Sequence, residues 1–335
     1  MPTYAIHPRA SVCYGMLLLA SISLLCLLFN QQVPAISPLM LAMLVGLVLG
    51  HSRFAAGLVH VDASLQWAKG PLLRIAIGLY GFRIGFEQIQ QVGMQGVLMA
   101  VLVIFSVISC ALWLGKKLGL DRHTSLLVGA GSAICGAAAV LASQSVLKAS
   151  EEKVSVAIAT VVLFGTLSML LYPLGYSLLA LPAQQYGVLI GATVHEVAQV
   201  AAASAAVSEQ VQQAAIIEKM LRVMLLAPFL VWLGWQQSNT PGRSEKSLHL
   251  PWFALGFLCC SAIRTLDWLP ISGLHMLQVL DDLMLTMAML ALGLNTRAAQ
   301  VVRAGRRPLL LAAALFLLLL IGGYLLSQLL ALLSA

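Results

Sequence analysis

The sequence predicts an all-α polytopic membrane protein with about eleven transmembrane helices. Three observations carry this reading. Hydrophobic residues make up 60% of the 335 residues and charged ones only 9%, against about 25% charged in soluble domains. Mean hydropathy is +0.94. Apolar runs approaching the roughly 20 residues that cross a bilayer recur along the chain, separated by short polar connections. No separate soluble domain fits, so residues 1–335 read as one transmembrane domain. The +7 net charge comes from 19 Lys+Arg against 12 Asp+Glu scattered over loops, which excludes a nucleic-acid binder.

The first run, 12–29, follows Arg9 and exceeds the usual signal-peptide core. Asn30-Gln31-Gln32 offers no small-x-small cleavage site. Residues 1–35 therefore read as a tail and a first helix. Spans 38–50 and 71–85 are short. Between them, His51, Arg53, His60, Asp62 and Trp67 suit an interfacial stretch. Gly46-x-x-x-Gly50 suits close helix packing. The remaining spans fall at 92–114, 123–147, 154–180, 186–207, 218–236, 251–266, 273–295 and 308–333. Lys148, Glu151, Glu152 and Lys153 read as a solvated loop.

Cytoplasmic loops are enriched in Lys and Arg. With the N-terminus inside, Arg9, Arg53, Lys69, Arg74, Lys116, Lys117, Arg122, Arg243, Lys246, Arg297, Arg303, Arg306 and Arg307 fall inside. Arg83, Lys148, Lys153, Lys219, Arg222 and Arg264 fall outside. This bias predicts a bacterial-type inner membrane, a cytoplasmic N-terminus and an external C-terminus. A weak internal echo runs along the chain: Gly81 to Gly93 and Gly293 to Gly305 share one spacing at a helix–helix junction. The two would face opposite sides, as an inverted repeat requires. The six cysteines (Cys13, Cys26, Cys110, Cys135, Cys259, Cys260) form no C-x-x-C pair and read as small core residues.

Four segments could carry chemistry. Gly129, Gly131, Ser132, Cys135 and Gly136 fall mid-span, where glycine weakens a helix by about 1 kcal/mol relative to alanine. A broken helix there would aim free N–H groups at an anion; a small-residue packing face is the plainer alternative. Thr193, His195, Glu196 and Gln199 lie in an otherwise apolar helix, where charge costs at least about 2.5 kcal/mol. The sequence there nearly spells the zinc-protease H-E-x-x-H, but Gln199 takes the second histidine's place and ligates zinc poorly. Lys219 and Arg222, preceded by Glu218, share one helix face and form either a snorkelling pair or a cationic half-site. Asp281 and Asp282 lie inside a span, where they could titrate or pair with Arg222 or Lys219; a later helix start would make both interfacial.

Several of these stretches resemble the YeiH-type family of bacterial inner-membrane proteins, proposed as sulfate exporters. They are Gly78-Leu-Tyr80-Gly81-Phe82-Arg83, Asp121-x-His123-Thr124-Ser125, Gly129 through Ala142, Thr193 through Val200, Lys219-Met-Leu-Arg222-Val-Met and Pro251-Trp252-Phe253. The resemblance covers nearly the whole chain in order. It implies transport of sulfate or a related anion, and an inverted repeat with two crossed, broken helices like those of sodium/proton antiporters and bile-acid symporters. In an eleven-span count the central segment 123–207 holds both broken helices running the same way, whereas crossed helices run antiparallel. A re-entrant hairpin, a different span count or a failed analogy would each account for that.

The sequence thus predicts a secondary active transporter of a small anion, possessing no enzyme activity, cofactor or metal site. The expected substrate-binding residues are Gly131, Ser132, Cys135, Gly136, Thr193, Gln199, Lys219 and Arg222, with Gly131, Ser132 and Gly136 shaping a half-helix N-terminus. His195, Glu196, Asp281 and Asp282 are expected to couple protons, since histidine titrates near neutrality and burial raises a carboxyl. The expected partners are the anion and the lipid bilayer, and small-residue faces are compatible with a homodimer. A cation/proton antiporter, an intramembrane enzyme and a non-transporting scaffold are the alternatives.

Overall fold

The computed structural model describes residues 8–32, 37–52, 62–237, 252–296 and 304–334. Arg53, His60, Arg243, Lys246, Pro251, Arg297 and Arg303, and the Arg9 side chain, lie outside the described residues. Every regular element among the described residues is helical. Among the described residues, five helices are long and apolar enough to cross a membrane: Val12–Asn30, Phe86–Lys117, Glu151–Leu179, Ile271–Asn295 and Arg306–Leu333. The all-α membrane class read from hydropathy is the observed one.

The chain divides into two units. The first holds residues 1–86 and 255–297. It comprises α1 (Pro8–Gln32), α2 (Pro38–His51), α3 (Asp62–Trp67), α4 (Leu73–Leu79), most of α13 (Trp252–Thr265) and α14 (Ile271–Asn295). The expected span 71–85 begins nine residues earlier, at Asp62. A π turn, Ala68–Leu72, joins α3 to α4 around Pro71; proline supplies no N–H there, and the wider turn absorbs its ring. Helices α2 and α14 cross through glycine. A Cβ on Gly46 would strike Leu290 O, and one on Gly50 would lie 2.7 Å from Leu294 O. The Gly46-x-x-x-Gly50 packing expectation is met.

The second unit holds residues 87–254 and 298–335. Its elements are α5 (Phe86–Lys117), α6 (Arg122–Ala133), α7 (Ala137–Leu147), α8 (Glu151–Leu179), α9 (Ala183–Thr193), α10 (Val197–Ala205), α11 (Glu209–Met224) and α12 (Leu226–Gln237). The last helix is α15 (Arg306–Leu317), which continues through a π turn into α16 (Gly323–Ser334). Helix α11 starts at Glu209, well before the expected 218. Its first turns, Glu-Gln-Val-Gln-Gln, are too polar to read as membrane: Glu209 and Gln210 are exposed, and of the five only Val211 is buried.

Neither broken segment crosses the unit. Lys153, at the start of α8, bonds Asp121, just before α6, at 2.8 Å. The Arg122 guanidinium donates to the Gln236 amide oxygen near the end of α12, and Val146 near the end of α7 packs close to Gly234. The start of α6 and the end of α7 therefore lie at one end of the unit, and α6–α7 is a re-entrant hairpin. Helix α8, about 43 Å long at 1.5 Å per residue, carries the chain to the opposite end. There α9 enters. Gly187 packs against Val211 and Ala214, and Gly191 against Ala215 and Glu218, so α9 and α11 run parallel. The intervening α10 must return to the end where α9 began. The expected spans 123–147 and 186–207 are thus two hairpins entering from opposite ends. That resolves the conflict over their direction, because a hairpin consumes no crossing.

This topology also corrects the charge assignment. Lys148 and Lys153 share an end with Lys116, Lys117 and Arg122 instead of facing them across the bilayer. Arg307 belongs there too, since a Cβ on Gly119 would lie 3.2 Å from its guanidinium. At the other end Gln184 donates to Gln91 O at 2.7 Å and Gln185 to Ser327 O at 3.2 Å. Gly93 and Gly305, the matching ends of the internal echo, both adopt positive φ, +49° and +82°. Gly93 kinks α5 and Gly305 immediately precedes α15, at opposite ends of this unit.

Asp121 ties the first hairpin to α8. Its carboxylate accepts from the His123 and Thr124 backbone N–H groups and the Thr124 hydroxyl, an N-cap of α6. Partial burial would raise this carboxyl, but hydrogen bonds from Lys153 and Thr124 outweigh it and hold it down at about 2. A depressed carboxyl contributes stability that is complete above its unfolded pKa, roughly 3.9, and lost as pH falls through about 2. Asp121→Ala should lower stability by about 1 kcal/mol and Asp121→Asn by less. A detergent melting series across the three proteins checks this; equal melting of wild type and the alanine variant would refute it.

Candidate functional site

The two hairpin tips meet inside the second unit. The first tip, Ile134–Gly136, closes with a hydrogen bond from Gly136 N to Gly131 O at 3.0 Å. Gly136 has φ +71° and ψ −134°, a conformation that glycine alone adopts without strain. The second tip, Val194–Glu196, is extended, with Glu196 at φ −106° and ψ 150°. A Cβ on Gly136 would overlap the Glu196 side chain, so glycine is what lets the tips approach.

Each tip brings a helix C-terminus and a helix N-terminus to the centre. The C-termini, of α6 and α9, leave carbonyls without helical partners, and no bulk water reaches them at membrane depth. Lys219 and Arg222, both fully buried on α11, satisfy them. The Lys219 ammonium donates to Ile134 O at 2.9 Å, Val194 O at 2.7 Å and His195 O at 2.6 Å. These use all three of its N–H bonds. Arg222 donates from Nε to Ala133 O at 3.0 Å, and from its terminal nitrogens to Gly191 O, Val194 O, Ser132 O and Ala133 O. These use all five of its donors. Both cations reach both hairpins, at sequence separations of 24 to 90 residues.

The N-termini, of α7 and α10, carry the positive ends of their dipoles, and Glu196 faces both. Its carboxylate accepts from Ala137 N at 3.2 Å and closes a capping box on α10, where the Gln199 side-chain oxygen accepts from Glu196 N at 3.1 Å. A carboxylate of the chain itself thus occupies the place where two helix N-termini would hold an anion. Beside it, the His195 Nδ1 and Gln199 Nε2 atoms are buried and have no hydrogen-bond partner among the described residues.

The structure gathers Gly131, Ser132, Cys135, Gly136, Thr193, His195, Glu196, Gln199, Lys219 and Arg222 at this junction, with several positions differing from expectation. Gly131 and Ser132 end α6, so they belong to a C-terminus, and the Ser132 carbonyl accepts from Arg222. Only Gly136 precedes a half-helix N-terminus. The Thr193 hydroxyl is engaged by Tyr172 and by Leu189 O. Lys219 and Arg222 have no donor left for a ligand: side-chain placement on one helix face is visible in sequence, but the carbonyls that consume their donors are not. Asp281 and Asp282 belong to the other unit. Their partner is Arg83, at 3.2 and 2.7 Å, and not Lys219 or Arg222.

Two residues escaped the sequence reading. Glu218 is fully buried, and neither carboxylate oxygen has a hydrogen-bond partner among the described residues. Adjacency to Lys219 in an apolar helix was its only sequence signal. Gly165 of α8 is the second, since a Cβ there would overlap the Gln199 amide.

A family model described as "Conserved hypothetical protein 698" matches residues 14–312. The UPF0324 inner membrane protein YeiH of Salmonella typhi is 46% identical over 307 residues, covering 88% of each chain. YeiH of Escherichia coli K12 is 45% identical over the same length and coverage. A UPF0324 membrane protein of Photorhabdus laumondii is 40% identical over 329 residues, 93% of this chain and 91% of the relative. No solved structure matches.

Proposed function

Because this chain belongs to the family of Conserved hypothetical protein 698, whose relatives are named inner membrane proteins, we propose that it is a secondary active transporter of a small anion in the bacterial inner membrane. One observation carries the reading: two re-entrant hairpins from opposite ends meet so that the N-termini of α7 and α10 converge on one carboxylate, Glu196. Converging helix N-termini favour negative charge, and tips entered from opposite ends suit access from either side. Glu196 then acts as a tethered anion. Its protonation or displacement frees the backbone donors for an oxyanion such as sulfate, with His195 and Gln199 beside it as further polar contacts. Lys219 and Arg222 hold the tips together and supply long-range positive potential without touching the substrate.

The distribution of charge supports an orientation. The end of the second unit with Lys116, Lys117, Arg122, Lys148, Lys153 and Arg307 is cytoplasmic on the positive-inside rule. On that reading the opposite end, where α16 finishes, faces outward, which supports an external C-terminus.

Radiolabelled sulfate flux in proteoliposomes, with and without an imposed pH gradient, tests the function. Wild type should show gradient-driven flux. Glu196→Gln should fold and lose the pH dependence of that flux; unchanged coupling would remove Glu196 from the mechanism. Absent flux with folded wild-type protein would exclude sulfate and turn the assay to sulfonates, other oxyanions and sodium.

A further inference from the structure

Glu218 plays no part in the site just described, yet its carboxylate sits one residue from Lys219 with no hydrogen-bond partner among the described residues. A Cβ on Gly96 of α5 would lie 2.6 Å from Glu218 Oε2, and one on Gly191 of α9 would lie 2.7 Å from its Cβ. Two glycines on two helices therefore leave the space this side chain fills. A carboxylate so placed is costly in its charged form unless it is paired, and no cation lies within ion-pair distance of it among the described residues.

A crevice opens above it from the end where α9 enters. Gln88, Gln91, Gln184, Gln210 and Gln213 line it, and it has room for a water molecule. Val92 and Ile217 form part of its wall. Both adjoin the surroundings of the Glu218 carboxylate: a Cβ on Gly96 would meet the Val92 side chain as well as Glu218, and Ile217 directly precedes Glu218. Amide side chains donate and accept, so they carry water toward this wall without fixing a charge there.

We propose that Glu218 is a proton-binding site of this protein, loaded through the glutamine-lined crevice from the end that holds the C-terminus. Binding takes one proton from water and converts the carboxylate to a neutral carboxyl; release reverses this. The charges around the tips are the buried Lys219, Arg222 and Glu218 and the half-buried Glu196. With both carboxylates ionised they balance. A proton on Glu218 leaves one positive charge in excess, which favours an anion at the tips. This coupling rests on the anion-transport reading, whereas the proton site itself does not. The charged groups facing Glu218 are Lys219 and Arg222 on its own helix. Helix α5 carries none between Gly93 and Gly115, α9 and α10 carry none, and Glu209 lies outside, bonded to Gln213.

Dicyclohexylcarbodiimide, which modifies protonated carboxyls in apolar surroundings, tests the site directly. The full chain is reconstituted in sealed vesicles, with orientation set by a C-terminal tag, and peptides are mapped by mass. Glu218 should be modified, falling about tenfold per pH unit above its titration midpoint, and the label should follow the pH of the compartment facing the C-terminus. Glu218→Gln should lose this label and keep any label at Glu196. No modification of Glu218 at any pH would overturn the proton site. A label following the opposite compartment would overturn the crevice route. Neither result depends on sulfate flux, so this proposal can fail while anion transport stands, and the reverse.

Discussion

Arg222→Ala is expected to destabilise the second unit by about 3–5 kcal/mol, the usual cost of removing one member of a buried charged network. The substitution removes five hydrogen bonds to carbonyls at Gly191, Val194, Ser132 and Ala133. Those carbonyls end α6 and α9 inside the protein, and an unsatisfied buried acceptor costs about 1–3 kcal/mol. Arg222→Lys should fall between wild type and alanine, because lysine has three donors and no planar fork. Thermal melting in detergent orders the three proteins. An alanine variant that melts with wild type would show that the hairpin tips do not depend on this side chain. The prediction also changes how lost transport in Arg222→Ala should be read: it would report a collapsed junction, and not a missing substrate contact.

The second large effect is expected at Gly136. Alanine there must hold φ +71° and ψ −134°, which costs a non-glycine residue roughly 1–3 kcal/mol. Its Cβ would also overlap the Glu196 side chain. The two tips must part, and the Glu196 carboxylate must leave the Ala137 N–H. Gly136→Ala should therefore lose flux and melt earlier. Gly234→Ala is the matched control, because a Cβ there meets only Val146 at 3.9 Å, an ordinary contact. Wild-type flux and melting in Gly136→Ala would mean that close contact of the tips is not needed.

Where the helices break was legible in the sequence. Gly-Ser-Ala-Ile-Cys-Gly and Thr-Val-His-Glu interrupt apolar runs, and glycine or ionisable residues at membrane depth need a local reason. The observed interruptions at 134–136 and 194–196 fall inside those stretches. What the chain does after each break was not legible. A straight continuation and a reversal have the same hydropathy, and only contacts such as Lys153 with Asp121 separate them. The same limit explains the misplaced charges. Reading each apolar run as a crossing puts Lys148 and Lys153 on the wrong side.

The sequence by itself determined the membrane class and the two breaks, because hydropathy and backbone preference act over a few neighbouring residues. Only the tertiary structure decided that the breaks are hairpin tips from opposite ends, that Lys219 and Arg222 are consumed by carbonyls, and that Glu218 is left unbonded. Those outcomes depend on partners as many as 90 residues away. A polar side chain buried in membrane announces that it needs a partner; which group fills that need is set by how the helices pack.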